Sequence, residues 1–265
     1  VMAQLKQHNP TIYYGVPTLY GAMLADDNCK PENGSNAMRA CVSAGEALPE
    51  DIAKRWKDRF GVDILDGLGS TEMLHIFLSN APDDLRYGTS GKAVPGYDLK
   101  LVGEDEQPVE QGEIGELLVR GPTTASVYFN NRAKSTATFQ GAWTRTGDKY
   151  TQDSDGYFVY SGRSDDMLKV GGIWVSPFEV ESAVLAHEAV LEVAVVGKAD
   201  DKDLIKPQAH IVLVEGQQGS DELVEELKAF VKDRLALYKY PRWIEFVDEL
   251  PKTATGKIQR FKLRA

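Results

Sequence analysis

Two changes of texture along the chain limit what it can fold into. From Val1 to about Arg86, strand-like and helix-like signals alternate, and after Gly162 they alternate again. Between them, from Tyr87 to about Tyr160, short strand-like runs are divided by Pro95-Gly96, the polar run Gly103 to Gly112, and Asp153 to Gly156. Alternation is the pattern of a largely parallel sheet covered by helices, while the middle stretch reads as a small β-barrel or sandwich. The expected fold class is α/β, with a sheet subdomain over 1–86, a β-barrel subdomain over 87–164 and a small α/β domain over 165–265.

Local signals fill in this outline. Thr11 to Gly15 suits a buried strand, and Pro17 opens a helical segment through Leu24. A helix is predicted after Pro49, where Ile52, Trp56 and Phe60 share one face and Glu50, Asp51, Lys54 and Lys57 lie elsewhere; that face should pack on the sheet. Ser176-Pro177-Phe178-Glu179 is a helix start, with Ser as N-cap, Pro at the first helical position and Glu placed to close a capping box. Strands are expected around Val190 to Val196 and Ala209 to Val214. A helix follows Ser220, with Val224, Leu227, Val231 and Leu235 on its buried face. The length from Asp166 onward, about 100 residues, suffices for an independent domain.

Composition narrows the function classes. A net charge of -10 and a pI near 5.0 argue against a nucleic-acid partner, whose affinity comes mostly from clustered Lys and Arg. Cys29 and Cys41 form no CxxC pair and have no His at ligand spacing, so neither a disulfide framework nor a zinc site is indicated, and reduced cytoplasm is the default. No apolar run approaches the roughly 20 residues that span a bilayer. Even Val190 to Val196 is broken by Glu192, and no signal peptide is visible. The segment from Val1 to Leu24 already reads as the middle of a fold, so we expect a truncated chain.

Four runs could carry chemistry. Asp66-Gly67-Leu68-Gly69-Ser70-Thr71-Glu72 follows the strand-like Val62 to Leu65 and is expected on a loop at the strand's carboxyl end, where open α/β sheets place ligands. It is not a dinucleotide GxGxxG, because Glu72 stands at the third Gly, and the chain has no GxxxxGK[ST] phosphate loop. Trp143-Thr144-Arg145-Thr146-Gly147-Asp148 is expected as a turn whose carboxylate could accept hydrogen bonds from both hydroxyls of a sugar diol. Gly162 to Gly172 gathers Arg163, Asp165, Asp166 and Lys169 before a Gly pair that lets the backbone approach something closely. Pro251-Lys252-Thr253-Ala254-Thr255-Gly256-Lys257-Ile258 sets one lysine on a loop, where it is either solvated surface or a mobile point charge for a phosphate. Taken alone, each run also reads as an ordinary surface turn.

In order and spacing, these four runs together resemble the core motifs of the acyl-adenylate-forming superfamily of acyl-CoA synthetases, luciferases and peptide-synthetase adenylation domains. Val42-Ser43-Ala44-Gly45-Glu46-Ala47-Leu48 matches that superfamily's adenine-side loop. The resemblance implies the last part of a large N-terminal domain followed by a small mobile C-terminal domain. It implies that Gly45, Glu46, Ala47 and Asp66 surround adenine, with Leu68 packing on the base, that Thr71 contacts phosphate, and that Glu72 helps hold Mg²⁺. Asp148 would take the ribose hydroxyls, with Arg163 nearby. Gly67, Gly69, Ser70 and Lys169 also count among the cofactor-binding residues. Asp165 matches the hinge, Lys257 the lysine of adenylation, and Gly171 and Gly172 the loop that turns inward for thioester formation.

A closer likeness is to the benzoate-CoA ligase group. It rests on Tyr13-Tyr14-Gly15-Val16-Pro17-Thr18-Leu19-Tyr20 and on Gly69 to Phe77, and implies that His75 and Ile76 lie beside the acyl pocket. The implied substrates are a benzoate-like carboxylate, ATP and coenzyme A. Two alternatives stay open: an adenylation domain that loads a carrier protein, and an inactive nucleotide-binding fragment. The Ser/Thr/Gly-rich loop ending in Pro-Lys-Gly and the upstream aromatic motif of these ligases are not found in the chain.

Overall fold

A computed structural model describes residues 1–253 and 256–264. The chain divides into two compact units, one of Val1–Pro17 with Lys30–Asp165 and the other of Thr18–Cys29 with Asp166–Ala265.

The elements in chain order begin with α1 (Met2–His8), β1 (Ile12–Gly15), α2 (Pro17–Ala25), β2 (Ala40–Ser43), α3 (Glu50–Phe60), β3 (Ile64–Gly69), β4 (Ile76–Ser79) and β5 (Lys92–Ala93). The five strands form one sheet in the order β1-β2-β3-β4-β5. The first three run parallel, with Gly15, Ser43 and Asp66 in one row, and the last two pair antiparallel. Helix α3 follows its sequence pattern closely. Glu50 and Asp51 sit in the first turn against the helix dipole, Gly61 ends the helix at φ 70°, and Ile52, Ala53 and Trp56 are buried. Trp56 stacks on Phe60 with ring centroids 4.2 Å apart.

The middle stretch forms β6 (Asp98–Val102), β7 (Gly115–Arg120), α4 (Arg132–Thr138), β8 (Phe139–Gln140), β9 (Trp143–Gln152) and β10 (Phe158–Arg163). The sheet is antiparallel in the order β10-β9-β7-β6, with β8 paired to the start of β9. Its apolar side joins Leu101, Leu117, Val119, Tyr150 and Phe158 to Met73, Phe77 and Leu78 in one buried cluster.

Two expectations are corrected in this unit. Asp66 to Gly69 do not lie on a loop: β3 continues through Gly69, and only from Ser70 does the chain leave the sheet. The glycines are there because β4 comes so close, a Cβ at Gly69 standing 2.7 Å from the His75 carbonyl oxygen. Trp143 to Asp148 is likewise not a turn but the first half of β9, where Gly147 at φ 75° makes a bulge and the pairing with β7 jumps from Glu116↔Lys149 to Leu118↔Arg145.

The second unit contains β11 (Leu168–Val170), β12 (Ile173–Val175), α5 (Pro177–Leu185), β13 (Val190–Ala199), β14 (Ile205–Leu213), α6 (Asp221–Lys232) and β15 (Trp243–Phe246). Strands β13 and β14 pair antiparallel, and α6 carries the chain over to β15, parallel to β14. Val180, Val184, Val193, Val195, Ile211, Leu227 and Val231 fill its core, each such burial contributing about 1.5–3 kcal/mol relative to exposure. Ser176 caps α5 by accepting the Glu179 N–H at 3.0 Å, but Glu179 does not complete a capping box: both its oxygens take the Lys239 ammonium at 2.6 Å.

Candidate active site

Parallel strands end together, so the loops after β2 and β3 share one edge of the first sheet. The run Gly45-Glu46-Ala47-Leu48 leaves β2 just beyond Ser43, the partner of Asp66, and the Leu48 N–H helps hold the Asp66 carboxyl group. Asp66 is buried and receives the Ser90 hydroxyl at 3.2 Å. Ser90 in turn meets the Tyr150 hydroxyl at 3.2 Å. Burial pushes the Asp66 carboxyl well above the usual carboxylate range, outweighing the hydrogen bonds from Ser90, Leu48 and Gly67. Burial also drives the Tyr150 phenol upward, and the nearby charge of Asp148 adds to it. Asp66, Ser90, Tyr150 and Asp148 thus form one polar seam through the first unit.

Asp148 owes its placement to the bulge. Its N–H donates to Thr146 Oγ1 at 3.1 Å, and Thr146 Oγ1 donates to the Leu117 carbonyl at 2.9 Å, so the carboxylate turns toward Arg163. Arg163 donates to Asp148 Oδ1 at 3.2 Å and to the Thr146 carbonyl at 3.1 Å, and lies 3.6 Å from Asp165. Gly147 lies beneath that guanidinium at φ 75°, a backbone that L side chains rarely adopt, and a Cβ there would stand 2.7 Å from Arg163 Nη2 and push the guanidinium aside. Burial opposes the Arg163 charge, but Asp148 and Asp165 together hold its pKa above the ordinary value.

After β3, Ser70 caps the short helix Thr71–Met73 by accepting the Met73 N–H at 3.3 Å. Thr71 is exposed. Glu72 accepts the Tyr128 hydroxyl at 2.6 Å. Burial disfavours the Glu72 anion, yet Tyr128, its own N–H, Ser70 and the charge of Lys134 outweigh this and hold the carboxyl below its usual value. Glu72 is therefore a carboxylate at neutral pH. Thr123 and Ala125 brace the same turn through the Met73 and Glu72 carbonyls, at 2.6 and 2.7 Å. His75 is exposed, Ile76 is half-buried on β4, and Leu68 packs on the buried cluster beneath the sheet.

The remaining candidates belong to the second unit. Gly171 and Gly172, at φ 58° and 86°, form the two-residue turn between β11 and β12, a backbone that L side chains rarely adopt. A Cβ at either would meet nothing within 4 Å, so the turn leaves open space beside its backbone. Lys169 stands across from Trp174, its ammonium 5.1 Å from the ring centre. Lys257 is exposed on a closed turn in which Lys252 bridges to Ile258 and the Thr253 N–H donates to the Lys257 carbonyl at 2.8 Å. Ala254 and Thr255 of that run lie outside the described residues.

Comparison with known proteins gives the architecture its family. The model for AMP-binding enzymes matches residues 1–129, and the model for the C-terminal domain of the AMP-binding enzymes matches 179–257. The chain belongs to the AMP-binding enzymes. A benzoate–CoA ligase of Thauera aromatica is 63% identical to it over 266 residues, which is 100% of this chain and 50% of the relative. Among solved structures, the anthranilate CoA ligase AuaEII in complex with anthranoyl-AMP superimposes with a TM-score of 0.96 at 53% identity, covering 99% of this chain and 51% of that one. A benzoate CoA ligase from Burkholderia xenovorans LB400 gives 0.93 at 56% identity, with 99% and 53% covered. This AMP-binding enzyme chain thus spans about half the length of the relatives it matches.

Sequence reasoning missed the residues that hold the candidates in place. Tyr128, Ser90 and Tyr150 carry no local signature, because Tyr128 meets Glu72, Ser90 meets Asp66 and Tyr150 meets Ser90 only through the approach of segments far apart in the chain. The one available hint was the Asn-capped run before α4, where Tyr128 and Phe129 precede Asn131, which accepts the Lys134 N–H at 3.1 Å.

Proposed function

We propose that the protein carrying this chain is an ATP-dependent ligase that joins benzoate, or a closely related aromatic carboxylate, to coenzyme A, releasing AMP and pyrophosphate. One observation carries the reading: the whole chain aligns with aromatic acid–CoA ligases, including one solved with an aromatic acyl-AMP. A carboxylate reacts poorly with a thiol because oxide is a poor leaving group. Attack of its oxygen on the α-phosphorus of ATP expels pyrophosphate and leaves an acyl-adenylate, from which AMP departs readily.

Each residue set has a part in this. The Gly45 to Ala47 loop and Asp66 border the adenine, Asp148 accepts the ribose hydroxyls, and Arg163 holds Asp148 in orientation. Thr71 donates to phosphate. Lys257 brings a point charge between two anions that must meet, the attacking carboxylate and the α-phosphate. A divalent magnesium ion fits Glu72: the carboxylate is ionised and one oxygen is fixed by Tyr128. Mg²⁺ is usually held by one or two carboxylates together with substrate phosphates rather than by a protein cage, and Glu72 would supply such a carboxylate. When bound there, Mg²⁺ neutralises charge gathering on the pyrophosphate.

Thioester formation requires a different surface over the same adenylate. In this reading the domain over 165–265 is the mobile one and pivots at Asp165, withdrawing Lys257 and bringing the Gly171-Gly172 turn, whose open backbone leaves room for a pantetheine arm. His75 and Ile76 border the acyl pocket, and Lys169 lies on the coenzyme A side. We assign the protein to the cytoplasm on the ATP and coenzyme A that the reaction would consume; as a separate fact, no helix among the described residues is long and apolar enough to cross a membrane.

The test separates the half-reactions in the whole protein. Lys257→Ala should cut acid-dependent pyrophosphate exchange by about 10²- to 10³-fold while sparing thioester formation from supplied acyl-adenylate. Gly171→Leu should do the reverse. Equal loss of both steps in each variant would count against the two-surface scheme, and exchange with short fatty acids but not benzoates would count against the substrate class.

A further inference from the structure

The lysine turn is tied to the core of its own unit by a bidentate ion pair on a buried carboxylate. Glu181, on α5, has a side chain only 8% exposed. Its Oε1 accepts the Val195 N–H of β13 at 2.7 Å, so the carboxylate is fixed before any cation arrives. Arg260 then binds both oxygens through its planar fork, at 2.9 and 2.7 Å. Asp166, the residue after Asp165, stands on the other side of the same guanidinium at 4.0 Å and also pairs with Arg264.

Lys257 lies just before Arg260 in the chain, and what separates them is stiff. The Gln259 N–H donates to the Pro251 carbonyl at 2.8 Å, and the Lys257 N–H donates to Thr253 Oγ1 at 3.1 Å. The other arm of the turn is held by Lys252, whose ammonium is 2.6 Å from Glu192 on β13. Two anchors therefore set the turn, one at each arm. The Lys252 pair makes a single contact between two half-buried groups and is worth little, whereas the Arg260 fork is bidentate on a Glu181 carboxylate that is itself buried.

We propose that Arg260, clamped by Glu181 and bordered by Asp166, is a positioning residue that fixes the reach of Lys257 relative to the start of the small unit. This rests on the adenylation role of Lys257 given above. A lysine delivered by a moving unit is useful only if its position within that unit is constant, since a misplacement of about 1 Å can cost about 10²-fold in rate. A tie that merely stabilised the fold would serve both half-reactions equally.

The experiment uses two mild variants in the whole protein. Arg260→Lys keeps the charge but loses the fork, and Glu181→Gln keeps the oxygen that accepts Val195 but loses the charge. The expected result for both is a fall of about 10²-fold in kcat for pyrophosphate exchange, with KM for ATP and acid little changed and thioester formation from supplied acyl-adenylate at the wild-type rate. Equal loss of both half-reactions, or loss of neither, overturns the proposal. Lys257→Ala run alongside separates the two levels. If it leaves exchange intact, the reading of Lys257 fails and takes the anchor with it; if it silences exchange while both anchor variants keep it, only the anchor is wrong.

Discussion

Asp66 and Glu72 sit on one short stretch of chain, yet their surroundings drive them in opposite directions. Burial raises Asp66, and the hydrogen bonds from Ser90, Leu48 and Gly67 do not recover its charge; Glu72, less buried, is kept ionised by Tyr128 and its neighbours. The sign of the stability effect follows. A carboxyl raised in the fold contributes stability that is complete below its unfolded value, near 3.8, and is lost as pH climbs through the folded value. Asp66→Asn, which cannot ionise and keeps one acceptor oxygen, should therefore flatten the loss of stability above about pH 4 and raise the thermal midpoint near about pH 7. Urea unfolding of wild type and variant across that range measures it, and an unchanged slope would mean the carboxyl is ionised in place. For Glu72 the partner is the lever. Tyr128→Phe removes the hydroxyl that fixes one oxygen and should raise the Mg²⁺ concentration for half-maximal pyrophosphate exchange by about tenfold to hundredfold, with thioester formation from supplied adenylate unaltered.

Elements were legible where a side-chain pattern declared them and obscure where glycine did. Helices α3, α5 and α6 follow their start signals and periodicity: Ser176 accepts the N–H foreseen for an N-cap, Ser220 caps the helix expected after it, and Leu227 and Val231 are buried at helical spacing. The parallel opening strands and the helix-poor middle were also readable, because strand and helix periods differ along the chain. Strands β3 and β9 were cut short in the reading, since glycines that look like turn residues serve there to let a neighbour approach. Gly67, Gly69 and Gly147 would each bring a Cβ to 3.0 Å or closer to a strand backbone or to Arg163. Nothing local distinguishes such a glycine from one in a turn. Gly69→Ala tests the point: its added carbon would press on the His75 carbonyl at 2.7 Å, and the backbone cannot yield as a flexible side chain could. The expected cost is about 1–3 kcal/mol in urea unfolding, as for an overpacked core. A variant as stable as wild type would place the slack between β3 and β4.

At the scale of the chain, two units with separate cores should unfold as two transitions rather than one. What the sequence could not supply here were the long-range pairs that knit the second unit, such as Glu181 on α5 with Arg260 near the end of the chain, or His210 with Glu245, which become neighbours through the pairing of β14 with β15. His210 gives a handle on the second unit alone. It is buried on β14, with Nδ1 3.6 Å from Glu245 on β15, and burial pulls its pKa below the ordinary 6.5, a shift that Lys198 assists and Glu245 opposes. Between the folded and unfolded values only the unfolded histidine binds a proton, so stability is complete above 6.5 and falls as pH drops through that window. Tryptophan reports on each unit separately, because Trp56 and Trp143 belong to the first and Trp174 and Trp243 to the second. In a Trp56→Phe/Trp143→Phe background, the remaining fluorescence should follow a melting transition that moves down between about pH 7 and about pH 5. Adding His210→Gln should remove most of that movement while leaving a transition in place. If the movement persists without His210, the proton is taken up elsewhere in the unit.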